Sequence, residues 1–183
     1  MELKEKELSR EYFFKGKIIN ARVDMALLPN GKTASREVVE HPGGVCVLPL
    51  DSNGDVLLVE QYRYPYSEVI LEIPAGKRDR GTAEEPLECG IRELKEEIGA
   101  TAENYRFLGQ LYPSPGFCNE VIFMYLATGL AFGDTNPDED EFLNIKRIPL
   151  DTVVEMVMSG EIKDAKTQAA VLKTKYLLDR DEF

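Results

Sequence analysis

Residues 84–100 read Glu84-Glu85-Pro86-Leu87-Glu88-Cys89-Gly90-Ile91-Arg92-Glu93-Leu94-Lys95-Glu96-Glu97-Ile98-Gly99-Ala100, and their pattern predicts a helix over Pro86 to Ile98. Pro86 suits the first turn, where a backbone N–H has no helical partner, and Gly99 suits the left-handed position just past the end. Leu87, Ile91, Leu94 and Ile98 recur at spacings of four, three and four, a stripe expected to face the core. Glu93, Glu96 and Glu97, related as i, i+3 and i+4, are then expected together on the outward side. Like charges so placed repel unless something neutralises them. A divalent cation does so directly, because Mg²⁺ prefers hard oxygen ligands and keeps waters in its remaining positions. The competing reading is an ordinary solvated acidic face. Gly90, inside the helix, costs about 1 kcal/mol relative to alanine, and close approach of another backbone or loop is a physical reason to accept it.

Upstream, Val45 to Leu50 is a nearly all-apolar strand, Asp51 to Asp55 a turn, and Val56 to Tyr62 a second strand, so the two are expected to pair as a hairpin. Val69 to Ile73 is a further strand, ended by Pro74-Ala75-Gly76. The first dozen residues read as a frayed arm or short helix, and residues 18 to 40, with the turn Pro29-Asn30-Gly31-Lys32, as antiparallel strands. His41-Pro42-Gly43-Gly44 punctuates the chain, so an extension over residues 1–42 and a catalytic domain over 43–183 are expected. Downstream, strands are predicted at Tyr105 to Leu108, Val121 to Thr128 and Leu143 to Ile148. Helices are predicted at Leu150 to Met158 and at Ala165 to Leu178, the latter capped by Asp164.

A chain of 183 residues is long enough for one sizeable core and short for two ordinary domains. Its 22 basic and 33 acidic residues give a net charge of −11, which repels nucleic acid, and no basic cluster reverses that field. No run of about 18 apolar residues exists to cross a bilayer, and residues 1–7 lack the apolar core of a secretory signal, so the cytoplasm is the expected compartment. Cys46, Cys89 and Cys118 form neither a CxxC nor a Cys/His cluster and are expected to be free thiols. His41 is the only histidine, which excludes His-based zinc sites and Ser-His-Asp catalysis; its expected role is to cap the turn before Gly43.

The segment Gly76 to Ala100 resembles the signature of the Nudix hydrolases: a glycine loop, a glutamate, seven residues, then Arg-Glu-aliphatic-x-Glu-Glu-x-Gly. Here Glu84 is followed by seven residues and Arg92-Glu93-Leu94-Lys95-Glu96-Glu97-Ile98-Gly99. One departure is visible: Gly76 and Glu84 enclose seven residues where the family has five, a two-residue expansion of the loop. The resemblance implies an α+β Nudix fold, an α/β/α sandwich around a mixed β-sheet, here with an N-terminal β extension. It implies Mg²⁺ or Mn²⁺ held by Glu93 and Glu97, with Glu96 as a further ligand or support and the carbonyl of Ala75 as a backbone ligand. Arg92 is expected to orient carboxylates such as Glu84 rather than to touch substrate.

Gln61-Tyr62-Arg63-Tyr64, Glu72-Ile73-Pro74-Ala75-Gly76, and Ser114-Pro115-Gly116 followed by Glu120 resemble the ADP-ribose pyrophosphatase branch of that family. The implied reaction is hydrolysis of the diphosphate of ADP-ribose to AMP and ribose 5-phosphate. Arg63 is a donor suited to a diphosphate; Arg36, Glu37, Tyr62, Glu72, Pro115 and Glu120 complete the expected substrate site. Tyr62, Tyr64 and Tyr66 suit either stacking on a base or packing in an interface. Such extensions commonly cross to a partner subunit, so a homodimer is implied. In Asp138-Glu139-Asp140-Glu141, a solvated loop by composition, the resemblance makes Glu139 and Glu141 candidate bases for the attacking water. Two alternatives stand beside this reading: a Nudix hydrolase of another nucleoside diphosphate sugar or a dinucleotide, and a noncatalytic nucleotide-sugar binding module.

Overall fold

The computed structural model describes residues 2–78, 84–137 and 141–180. Two strands organise it, β4 (Gly44–Pro49) and β5 (Asp55–Arg63). Every residue of β4 is buried, and its side chains alternate between two cores. Cys46 and Leu48 join one with Val56, Leu58, Ile73 and Val171; Val45 and Val47 join the other with Leu57, Val59, Leu94 and Ile98. Alternation between two apolar layers requires cover on both faces. Helix α1 (Pro86–Ile98) covers one, and α2 (Leu150–Met158) with α3 (Ala165–Leu178) covers the other. The result is the expected α/β/α sandwich.

The expected hairpin of β4 with β5 does not form. Strand β4 pairs antiparallel with β7 (Ala75–Lys77) and parallel with β9 (Ile122–Phe132), which itself pairs with β8 (Ala100–Leu111). Strand β5 pairs with β6 (Glu68–Glu72) and β10 (Leu143–Pro149). With both edges of each strand occupied, an isolated bridge between Leu50, just past β4, and Val56 is what links their ends among the described residues. The parallel pairing of β4 with β9 makes the sheet mixed.

The N-terminal segment is likewise a strand rather than a frayed arm or helix. Strand β1 (Lys6–Lys15) pairs with β2 (Asn20–Leu27), which pairs with β3 (Thr33–Glu40), as a separate antiparallel sheet. All of β1 is exposed, so no apolar alternation marks it; ladder hydrogen bonds and the contacts of Arg10 and Tyr12 with Asp24 and Glu40 hold it. Among the described residues no helix is long and apolar enough to cross a membrane.

Candidate active site

Helix α1 runs over the predicted residues and ends on Gly99 in the left-handed conformation, φ 66°. Its orientation differs from expectation. Ile91 is 39% exposed, whereas Glu93 and Glu97 are only 7% and 3% exposed. The buried line is Cys89 and Gly90, Glu93 and Leu94, Glu97 and Ile98. Gly90 is the physical reason: a Cβ there would lie 2.9 Å from Val45 Cγ1 and 3.0 Å from Val47 Cγ2, so the helix crosses β4 through a position without a side chain. Turning that face inward carries the two carboxylates with it, onto the segment Ala75–Gly76. The Ala75 N–H donates to Glu97 Oε2 at 3.1 Å, and a Cβ on Gly76 would overlap the Glu93 carboxylate.

Arg92 gathers the surrounding acids. Its Nη1 lies 2.9 Å from both Glu93 Oε1 and Glu96 Oε2, and its Nε 3.5 Å from Glu84 Oε1. One guanidinium does not compensate the buried pair. Burial pushes Glu93 up to about 7, the charges of Glu96 and Glu141 adding to it against Arg92. Burial pushes Glu97 up to about 8, reinforced by Glu93 and Glu141 and opposed by the Ala75 N–H and Arg63. Glu141, across the site, is thus close enough to act on both.

These residues fit a divalent cation. Two buried carboxylates short of positive charge, beside a backbone segment, are hard oxygen donors of the kind Mg²⁺ accepts. Among the described residues no three Asp, Glu, His or Cys side chains converge as a ready ligand cage.

In front of the pair opens a cavity of about 470 Å³, within the range of small-molecule sites. Ala75 and Gly76 line one side, Arg63 and Lys166 another, with Glu120 and Glu141 at its edges. Arg63 donates from Nε and Nη2 to the two oxygens of Glu72, at 2.6 and 2.7 Å. Lys166 Nζ donates to Glu72 Oε2 and, at 3.0 Å, to Asp164 Oδ1. For Glu72, 2% exposed, burial works to raise the pKa, but the Arg63 hydrogen bonds and the charge of Lys166 outweigh it and hold the carboxyl below its ordinary value.

A model of the NUDIX domain matches residues 40–171, which run from the end of β3 into α3 and include Arg63, Ala75, Gly76, Glu120, Glu141 and Lys166 of this cavity wall. The chain belongs to the Nudix family. It is 41% identical over 171 residues to an ADP-ribose pyrophosphatase of Bacillus subtilis (strain 168), covering 92% of this chain and 91% of that one. It is 40% identical to a methanol dehydrogenase activator of Bacillus methanolicus, covering 91% and 90% of the two. A solved ADP compounds hydrolase superposes with a TM-score of 0.86 over 99% of this chain and 98% of that one; at 21% identity the likeness is one of fold.

Within this Nudix chain, Arg63, Ala75, Glu120 and Glu141 line the cavity, Glu93 and Glu97 pack against Ala75 and Gly76 of its wall, and Glu72 pairs with Arg63. Arg36 instead pairs with Glu5 at 2.7 Å on the separate N-terminal sheet, which also carries Glu37. Tyr62 and Pro115 are exposed and are not among the cavity's described lining residues. Glu139 and the expanded loop 79–83 lie outside the described residues. His41 Nδ1 accepts from the Gly43 N–H at 3.1 Å, the turn cap expected of it, and stands 3.3 Å from Glu120 Oε1. The Cys46 and Cys89 thiols are pushed by burial up to about 12, which rules out thiolate chemistry near neutral pH.

Lys166 is a site residue that the sequence pattern does not single out, because Lys163 to Lys166 is too short and mixed a run to indicate a charged surface. The available signal was Asp164: as cap of α3 it fixes Lys166 in the first turn, next to whatever the helix N-terminus faces.

Proposed function

We propose that this Nudix chain hydrolyses the diphosphate bond of ADP-ribose to AMP and ribose 5-phosphate. The observation that carries the reading is the buried Glu93–Glu97 pair set on Ala75–Gly76, with the Arg63 guanidinium across the same cavity. The 41% identity to an enzyme named for ADP-ribose, over nine-tenths of both chains, supports the choice of substrate.

Glu93 and Glu97, with Glu96 and the Ala75 carbonyl, are the groups that hold Mg²⁺ (or Mn²⁺) in this reading. Such an ion, when bound, lowers the pKa of coordinated water and offsets charge on phosphoryl oxygens. Arg63, fixed by Glu72, donates charge-assisted hydrogen bonds to a phosphate oxygen. Glu141, or Glu139 two positions earlier in the sequence, accepts the proton of the attacking water as the water oxygen bonds to one phosphorus; the bridging P–O bond breaks and its electron pair leaves with the other phosphate. Glu120 and Tyr62 flank the nucleoside or ribose, with Pro115 shaping the loop that carries Glu120.

Residues 1–42 act as an extension that joins two copies in a homodimer and brings Arg36 and Glu37 to the partner's base pocket. Support comes from the separate sheet β1–β2–β3 and from Phe13 and Phe14, 67% and 50% exposed on it. The three free thiols suit a reducing cytoplasm.

Incubation with ADP-ribose and Mg²⁺, beside other nucleoside diphosphate sugars and dinucleotides, tests the reading. AMP and ribose 5-phosphate are the expected products, with a loss of about 100-fold or more in Glu97→Gln. Preference for another compound overturns the substrate; binding without turnover of any compound overturns catalysis in favour of a binding module.

A further inference from the structure

We propose that Lys166 is a substrate-contacting residue, which with Arg63 forms a two-donor clamp for one phosphate group, and that Glu72 is the positioning residue holding the clamp together. This rests on the diphosphate reading of the cavity. Arg63 Nη2 and Lys166 Nζ share a single acceptor, Glu72 Oε2, so the two cations stand side by side, and both line the cavity. A guanidinium has five N–H donors and an ammonium three. Arg63 spends two on Glu72, and Lys166 one each on Glu72 and Asp164. Donors therefore remain on both, adjacent, as two nonbridging oxygens of one phosphate require.

A purely structural role explains Lys166 poorly. It is 8% exposed, and a buried ion pair is often no more stabilising than apolar side chains of the same volume. Its charge is nonetheless secured: burial works to lower its pKa, but Asp164 and Glu72 outweigh burial and raise it. The clamp is also tied to the Glu93–Glu97 pair. Asp164 Oδ2 accepts from the Thr167 hydroxyl at 2.6 Å, and Thr167 Oγ1 accepts from the Ile73 N–H at 2.9 Å. Two residues beyond Ile73, the Ala75 N–H donates to Glu97. The five residues from Glu72 to Gly76 are thus gripped by α3 on one side and α1 on the other, which sets the distance between the cationic and anionic walls.

Calorimetric titration of the full chain with inorganic diphosphate in the presence of Mg²⁺ tests the assignment. The wild type is expected to bind, and Lys166→Met to bind about tenfold or more weakly, with a thermal melt showing that it folds. If Lys166→Met does not melt cooperatively, Lys166→Gln is read by the same criterion. Glu72→Gln is expected to raise the KM for the hydrolysed substrate by about tenfold while kcat stays within about threefold, because it loosens both donors without touching Glu93 or Glu97. Absence of diphosphate binding by the wild type, or equal binding by the Lys166 variant, overturns the clamp. An unchanged KM in Glu72→Gln overturns the positioning role. If ADP-ribose is not turned over but diphosphate binding still depends on Lys166, the substrate reading fails and the clamp stands.

Discussion

Gly76 shows how one missing side chain sets the chemistry. Its Cβ would occupy the space of the Glu93 carboxylate, so the strand β7 and helix α1 meet at van der Waals contact only because hydrogen stands there. Gly76→Ala leaves the backbone conformation accessible but forces Glu93 aside. A displacement of about 1 Å at a reacting centre costs about 100-fold in rate, and kcat in Gly76→Ala is expected to fall by that order while the melting temperature shifts little. A variant with wild-type kcat would mean that Glu93 has room elsewhere. Arg92 extends the same logic: by bonding Glu84, Glu93 and Glu96 it fixes carboxylates and has little left for a ligand, a role that the order Arg92-Glu93 already suggested.

At the scale of elements, Gly90 decides which face of α1 turns inward. Alanine there gains about 1 kcal/mol of helix propensity but places a methyl against Val45 and Val47, which are 1% and 0% exposed and have no space to retreat. Overpacking of about 1–3 kcal/mol outweighs the gain, so Gly90→Ala is expected to lower unfolding free energy by about 1 kcal/mol in denaturant melts. Combining it with Val45→Ala should cost less than the two separate losses added. The helices were legible because their signals are local: Pro86, Gly99 and Asp164 mark ends, and apolar spacing marks faces. The stripe rule still mislabelled α1, since it ranks Ile91 above Glu93 for burial and cannot register what the absent Cβ of Gly90 permits. Strands were legible as segments but not as partners. Nothing in Val45 to Tyr62 says that β7, β9, β6 and β10 will take every edge that a hairpin needs. Strand β1 escaped because its pairing with β2 buries no apolar face. In the site, the carboxylates and Arg63 could be found from pattern, whereas the Asp164 cap places Lys166 in the first turn of α3 and the packing of α3 on Glu72 brings it to the cavity.

Across the whole molecule, stability has two opposed dependences on pH. Glu72, held below its ordinary value, contributes stability that is present above about 4.5 and is lost as pH falls through its folded value. Glu93 and Glu97 act in the other direction. Their folded values of about 7 and 8 lie above the ordinary 4.5, so between 4.5 and 8 the folded protein binds more protons than the unfolded chain, and unfolding free energy falls as pH rises. Below that window both states are protonated and the pair costs nothing through this route; above it the full cost of two buried charges is paid in the fold. A divalent cation binds the deprotonated carboxylates and competes with their protons. In a chelator the melting temperature is therefore expected to fall from pH 5.5 to pH 8, and Mg²⁺ to raise it more at pH 8 than at pH 5.5. Glu97→Gln should flatten the chelator profile and shrink the Mg²⁺ response, which separates the pair from the general self-repulsion of a chain of charge −11. A wild-type profile that rises over this interval, or a slope unchanged in Glu97→Gln, would mean that the pair is not strained in the cation-free fold.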